Sequence, residues 1–156
     1  MRAKTMNVRG KQAGFSISEL LVVLAIIGLG VAIAVPITQQ QVRAAKIRTA
    51  AEQFAGDMRA VRMIAVSKRT ATDITVAAAP DNYYEYTDAD GRLRRIEMPA
   101  GVTITSSTTP LTYQLNGSMT AASTSVFECQ VGKSVTEQWT VTSSILGIPS
   151  VTHQRF

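Results

Sequence analysis

The feature that most limits what this chain can fold into is a long stretch without charge. Between Glu19 and Arg43 there are 23 uncharged residues, and every residue from Leu20 to Ile37 is apolar, glycine or proline. About 20 such residues span the hydrocarbon core of a membrane as a helix. The run is longer than the apolar part of a secretory signal, and no small-residue cleavage site follows it. We therefore expect residues 15–42 to form a membrane-spanning helix.

Most of the net charge of +5 precedes this run. Residues 1–14 hold four of the 16 basic residues and none of the 11 acidic ones, which leaves 12 basic and 11 acidic residues for the rest of the chain. Basic residues in front of a membrane helix favour a cytoplasmic N-terminus. We expect a single-pass membrane protein whose remaining chain lies outside the cytoplasm.

Glu19 stands at the edge of the apolar run. A carboxylate at the centre of a membrane helix costs roughly 2.5–3.5 kcal/mol, and less near the interface. Glu19 is therefore either solvated at headgroup depth or paired with a cation. Residues 20–42 contain no cation, so a partner would have to come from outside this segment. The residues alone leave both possibilities open.

The stretch AGFSISELLVVLAIIGLGVAIAVP, residues 13–36, resembles the class III signal of type IV pilins and type II secretion pseudopilins. The resemblance implies that residues 1–14 are a leader, that a prepilin peptidase cuts between Gly14 and Phe15, and that the new amine of Phe15 is methylated. It makes Glu19 the fifth mature residue and gives it a partner, the Phe15 amine of a neighbouring subunit. Pro36 lies where such helices are commonly interrupted, so it is assigned to assembly with Glu19.

After Pro36 the sequence becomes amphipathic. Apolar residues recur at spacings of three and four, as on one face of a helix that runs to about Lys68. This face comprises Ile47, Ala50, Phe54, Met58, Val61 and Ala65. Residues 43–69 hold seven basic and two acidic residues. Their polar face, with Arg48, Glu52, Arg59, Arg62 and Arg69, is either solvated or meets acidic surfaces of adjacent subunits.

Residues 70–156 are predicted to be β-rich. Eight short segments rich in Val, Ile, Thr and Tyr are bounded by Gly, Pro, Asn or Asp, and TDADGRLR predicts a tight hairpin turn with a positive φ at Gly91. Antiparallel strands packed on the helix would bury its apolar face. The sequence therefore predicts an α+β, pilin-like fold in which a long N-terminal helix, membrane-spanning in its first half, packs on antiparallel β-sheets.

Two later segments resemble the GspH/FimT branch of this family. Residues 51–76 carry an Arg-x-x-Ala pattern at Arg62 and Ala65, and YQLNGSMT resembles an aromatic-x-x-x-Gly hairpin. The resemblance implies a structural minor pilin or pseudopilin of a type IV pilus or type II secretion system, in its tip or initiation complex. Its partners would be other pilins, the prepilin peptidase and the inner membrane. The alternatives are a DNA-binding minor pilin and a major fibre pilin.

DNA-binding members of the branch carry Gly-Arg-x-Arg near the C-terminal strand. Here Gly147 is followed by Ile148, and Ser150 stands at the second arginine position. A GRLR stretch does occur at residues 91–94, so Arg92, Arg94 and Arg95 are the candidates for nucleic-acid contact. Residues 70–156 hold five basic and eight acidic residues, whereas phosphate binding favours a basic surface. We do not expect DNA to be a partner.

The sequence contains no recognisable enzyme site. It has no phosphate-binding glycine loop and no Gly-x-Ser-x-Gly motif. Cys129 and His153 are single examples of their residue types, so they form neither a disulfide within the chain nor a set with metal-ligand spacing. We expect no enzymatic activity, no metal and no cofactor.

Overall fold

The computed structural model describes residues 15–131 and 134–155 of the chain. Over those residues it has one helix followed by eight strands, which confirms the α+β class. The elements are α1 (Ile17–Lys68), β1 (Thr72–Ala77), β2 (Tyr83–Thr87), β3 (Leu93–Glu97), β4 (Val102–Ser106), β5 (Leu111–Tyr113), β6 (Ser123–Val131), β7 (Ser134–Ser143) and β8 (Pro149–Arg155). The chain divides into two compact units, one that ends at Gln39 and one that begins at Gln40.

The second unit contains two four-stranded antiparallel sheets. The strand order is β3-β2-β1-β5 in sheet A and β4-β6-β7-β8 in sheet B. The chain therefore leaves sheet A after β3, enters sheet B with β4, returns to sheet A with β5 and enters sheet B again with β6. Each of the eight strands either lies within a segment whose composition predicted a strand or extends a few residues beyond that segment.

The apolar face of α1 forms the centre of the core. All six residues of the predicted face are buried, and Ala51 and Ala55, which the periodicity did not include, are buried beside them. The ring of Phe54 meets Tyr84 of sheet A edge-to-face at 4.9 Å and Phe127 of sheet B at 5.5 Å. One helix side chain thus packs against both sheets, and alanines on its flank allow the strands to approach closely.

A half-buried carboxylate joins the helix to sheet A. Asp57 accepts hydrogen bonds from the hydroxyls of Tyr84 at 2.5 Å and Tyr86 at 3.1 Å. Burial, and next the carboxylate of Asp57, raise the pKa of Tyr84 far above its ordinary value. The same two causes raise the pKa of Tyr86. Both tyrosines are therefore neutral donors that hold β2 against the helix.

The turn between β2 and β3 has the predicted geometry. Gly91 has a φ of 78°, a region that glycine enters without the steric cost of a Cβ. The carboxylate of Asp88 accepts the backbone N–H groups of Asp90 and Arg92, each at 2.9 Å. The hydrogen bond from Arg92 is the chief cause of a lowered pKa at Asp88. Asp88 is thus the residue that shapes this turn.

Cys129, Trp139 and His153 lie on three strands of sheet B. Cys129 is buried among apolar side chains, as expected of a small core residue. Trp139 is half-buried against the core, and its ring stacks on His153 of the neighbouring strand with centroids 4.5 Å apart. Trp139 and His153 therefore take part in the packing between β7 and β8.

Candidate functional site

The start of α1 places Glu19 in the first helical turn. The hydroxyl of Ser16, which precedes the helix, accepts the backbone N–H of Ser18 at 3.3 Å, as an N-cap residue does. Glu19 then occupies the third helical position, where glutamate or glutamine is favoured and a negative charge meets the positive end of the helix dipole. Glu19 has a local helical role in addition to any partner outside the chain.

The apolar part of α1 is exposed on every side. Each described side chain from Phe15 to Ala32 is exposed. The five consecutive residues from Leu20 to Leu24, which point in all directions around a helix, are between 48% and 61% exposed. A helix that is apolar all round is stable only when something covers it. Among the described residues nothing covers this part of the helix.

The remaining N-terminal predictions fall partly outside the described residues. Gly14 lies outside them, as does the side chain of Pro36, although the helix itself continues through Pro36. Phe15 is 83% exposed. Within the described part of the chain, no helix is both long enough and apolar enough to cross a membrane.

The two segments that resemble the GspH/FimT branch meet in space. Arg62, on α1, donates from Nε to the carbonyl oxygen of Gly117 at 2.9 Å. Gly117 ends the aromatic-x-x-x-Gly stretch that begins at Tyr113. Of the polar face of α1, Arg62 is half-buried and not solvated, because the loop after β5 covers it.

A second glycine completes this junction, and sequence reasoning did not find its role. Gly147, in the turn between β7 and β8, has a φ of 74°, and a Cβ there would lie 2.4 Å from the Gly117 carbonyl oxygen and 3.0 Å from the Tyr113 ring. Only glycine fits this contact without displacing the backbone. The signal in the sequence was the apolar stretch ILGI, residues 145–148, which is unusual for a turn.

The candidate nucleic-acid residues are placed next to acids. Arg94 forms an ion pair with Asp88 at 3.5 Å, and Arg95 forms one with Glu85 at 3.2 Å. The guanidinium of Arg95 also lies 3.9 Å from the centre of the Tyr83 ring. Arg92 is exposed in the turn before β3. The structure brings these arginines together in one hairpin, but two of them face carboxylates at short range.

Among residues 15–131 and 134–155, no group of three or more His, Cys, Asp or Glu side chains is placed to hold a metal ion. On the polar face of α1, Arg48 and Glu52 form an ion pair at 2.8 Å. Both partners are exposed, so the pair adds only a few tenths of a kcal/mol.

Two family models match the chain. The model of the prokaryotic N-terminal methylation motif matches residues 9–35, and the model of the type II transport protein GspH matches residues 50–147. No curated protein matches it.

Two crystal structures of the type IV minor pilin FimU from Pseudomonas aeruginosa strain PAO1 are similar in fold. The structure in space group P21 is 23% identical, with a TM-score of 0.53 over 72% of this chain and 90% of that one. The structure in space group P65 is 22% identical, with a TM-score of 0.51 over 69% and 91%. At these identities the likeness establishes the fold. Because the GspH model covers more than half of the sequence, and a methylation motif precedes it, the chain is a pilin-like protein that belongs to the type II transport protein GspH family.

Proposed function

We propose that the chain is a structural subunit, a minor pilin or pseudopilin, that enters a type IV pilus or a type II secretion pseudopilus through α1 and acts in its tip or initiation complex. The observation that carries this proposal is the first part of α1, an apolar segment that is exposed all round and has one carboxylate, Glu19, in its first turn. Such a helix needs a covering environment, and a filament of similar helices provides one.

The proposal includes the steps before assembly. A prepilin peptidase removes residues 1–14 by cleavage after Gly14 and methylates the amine of Phe15. Until assembly, the apolar segment resides in the inner membrane, with the basic residues before it in the cytoplasm. Gly28, Gly30 and Pro36 weaken the helix locally, since glycine adds backbone freedom and proline lacks an N–H donor.

Glu19 is the residue that sets the position of the subunit. In a filament core the charges of Glu19 and of a neighbour's Phe15 amine are poorly screened, so a subunit that leaves either one unpaired is penalised. Breaking a buried ion pair by removing one partner costs about 3–5 kcal/mol. The carboxylate therefore selects one register between neighbouring helices.

Two substitutions at Glu19 distinguish its proposed role in assembly from its role at the start of the helix. Glu19→Gln keeps a residue that suits the third helical position but removes the charge, whereas Glu19→Ala removes both. We expect both full-length variants to insert and to be processed as the wild type is, because each makes the segment less polar. We expect both to show a loss of about tenfold or more in co-purification with other pilins.

The matched control is Glu52→Gln on the same helix, where an exposed carboxylate pairs with Arg48. This variant should co-purify as the wild type does. If Glu19→Gln also co-purifies normally, the carboxylate is only a solvated interfacial residue and the proposed assembly role is wrong.

A further inference from the structure

Exposed apolar side chains surround the junction between Arg62 and Gly117. Six of them, each 43–68% exposed, come from three separate elements and define what we call the Gly117 patch: Met63, Val66, Leu115, Ile145, Leu146 and Ile148. Scattered apolar residues on a surface are ordinary, but a contiguous group marks an interaction site.

Contacts below the surface show that the three elements adjoin. A Cβ on Gly117 would lie 2.9 Å from the side chain of Val66, so the loop after β5 touches α1. The N–H of Met119 donates to the carbonyl of Ile145 at 2.8 Å, which joins that loop to the turn between β7 and β8. The patch is therefore one surface around the C-terminal part of α1.

The chain segments that form the patch carry charges of one sign only. Residues 98–127 and 138–152, which supply its loops, contain no charged residue. The last turns of α1 together with Arg69, residues 58–69, contain four basic residues and no acid. Of these, Arg62 lies under the loop, and Arg59 is exposed one helical turn before Met63 of the patch. The patch thus has an apolar centre and a basic rim.

This combination limits what can cover it. An isologous contact with a second copy would place the basic rims of both copies together, which is unfavourable. Nucleic acid would need cations or exposed aromatic rings at the centre, where Leu146 and Ile148 stand instead. A protein surface with apolar side chains at its centre and carboxylates around them complements both the centre and the rim.

We infer that the Gly117 patch docks a different pilin-like subunit, one that presents an apolar surface rimmed by acidic side chains. The inference rests on the proposed function, since it names the kind of neighbour that covers this end of the second unit.

The test uses a photo-crosslinking amino acid at position 146 of the full-length chain, in membranes of cells that co-express it with one other pilin-like protein at a time. The control places the same amino acid at position 93, because Leu93 on β3 is 65% exposed and Leu146 is 68% exposed. We expect cross-links from position 146 to a peptide of one partner in which acidic residues flank apolar ones. Position 93 should give none to that peptide.

Substitution gives a second measurement. Leu146→Glu places a charge in the apolar centre and should reduce co-purification with that partner by about tenfold or more, whereas Leu93→Glu should not. Arg59→Glu reverses the rim and should reduce it by about threefold or more, with a larger effect at low salt.

Each result decides the inference. Cross-links from position 146 to another copy of this chain, equal cross-links from both positions, or normal co-purification of Leu146→Glu would overturn it. Failure of the underlying function looks different, because the wild-type chain would then co-purify with none of the pilin-like proteins. The inference is supported if position 146 cross-links to such a partner and co-purification falls in Leu146→Glu and Arg59→Glu but not in Leu93→Glu.

Discussion

The guanidinium of Arg62 donates to the carbonyl of Gly117, 55 residues away, at 2.9 Å. The bond is charge-assisted and half-buried, and the Arg62 stem packs under the loop. We expect Arg62→Met to lower the free energy of unfolding by about 1.5 kcal/mol, because the carbonyl then loses its donor. Denaturant unfolding of the purified protein measures this. Arg59→Met, an exposed control on the same helix, should stay within about 0.5 kcal/mol of the wild type.

Gly91 and Gly147 both have a positive φ. The same substitution at each therefore distinguishes the cost of backbone strain from the cost of a steric clash. Gly91 has a φ of 78° and open space where a Cβ would be, whereas a Cβ at Gly147 would lie 2.4 Å from a backbone oxygen. Gly91→Ala should therefore cost about 1 kcal/mol of stability for the left-handed backbone alone. Gly147→Ala should cost about 3 kcal/mol, since the loop must also move. Equal losses in the two variants would show that the packing of the two loops is not tight.

The tyrosines bonded to Asp57 make the fold sensitive to alkali. Burial raises the pKa of Tyr84 and of Tyr86, whereas tyrosines in the unfolded chain ionise near pH 10. Above about pH 10 the unfolded chain releases protons that the folded chain keeps, so the stability falls as the pH rises. Below about pH 10 both tyrosines keep their protons in the folded and the unfolded chain, so they do not change the stability with pH. Thermal unfolding between pH 8 and 11 should show this fall.

Removal of the hydroxyls is the control for that experiment. The double variant Tyr84→Phe, Tyr86→Phe cannot ionise at these positions, so its stability should fall less steeply above about pH 10. A slope unchanged from the wild type would mean that other groups cause the alkaline loss.

Processing can be read directly from the mass of the membrane-associated protein. We expect a mature N-terminus at Phe15 with a methylated amine, since Gly14 and the basic leader resemble the peptidase's substrate. Gly14→Leu should retain the leader, because a bulky residue then precedes the cleaved bond. Gly10→Leu is the control within the same leader and should be processed. A mature N-terminus at any other residue contradicts the prediction.

Nucleic-acid binding should be weak and dependent on salt. Arg94 and Arg95 are paired with carboxylates, so they have little potential left for phosphate. We expect dissociation constants for duplex DNA above about 1 μM at physiological salt. Replacing Arg92, Arg94 and Arg95 by serine should change them little, whereas replacing Arg43 and Arg59 on α1 should weaken what binding there is. Tight binding that the serine variant abolishes would favour the DNA-binding alternative.

Much of this fold follows from local patterns. The spacing of the apolar residues between Ile47 and Ala65 predicts a buried helix face. All six residues of that face are buried. The strands are bounded by glycine, proline, asparagine or aspartate, whose effects on the backbone act within a few residues. Lys68 was the expected end of α1, and Arg69 beyond it has a φ of 51°.

The features that depend on pairing between distant segments could not be predicted. Asp57 is the single acid between Glu52 and Asp73, yet its role depends on β2 lying beside that turn of the helix. The burial of Arg62 depends on the loop after β5 in the same way. For the candidate site, sequence resemblance supplied Gly14, Phe15 and Glu19, and the structure adds the exposure of the helix. Their roles remain predictions because they are exercised between molecules.

The path of the chain between the two sheets has a consequence for how the second unit folds. Strand β5 pairs with β1, the first strand, whereas β4 pairs with β6, which follows β5 in the chain. Sheet A is therefore complete only once β5 has been made, and sheet B only once β8, the last strand, has been made. Both sheets also share Phe54, so the loss of one removes packing from the other. The unit should therefore fold late in synthesis and melt in a single cooperative transition, with no half that is stable alone.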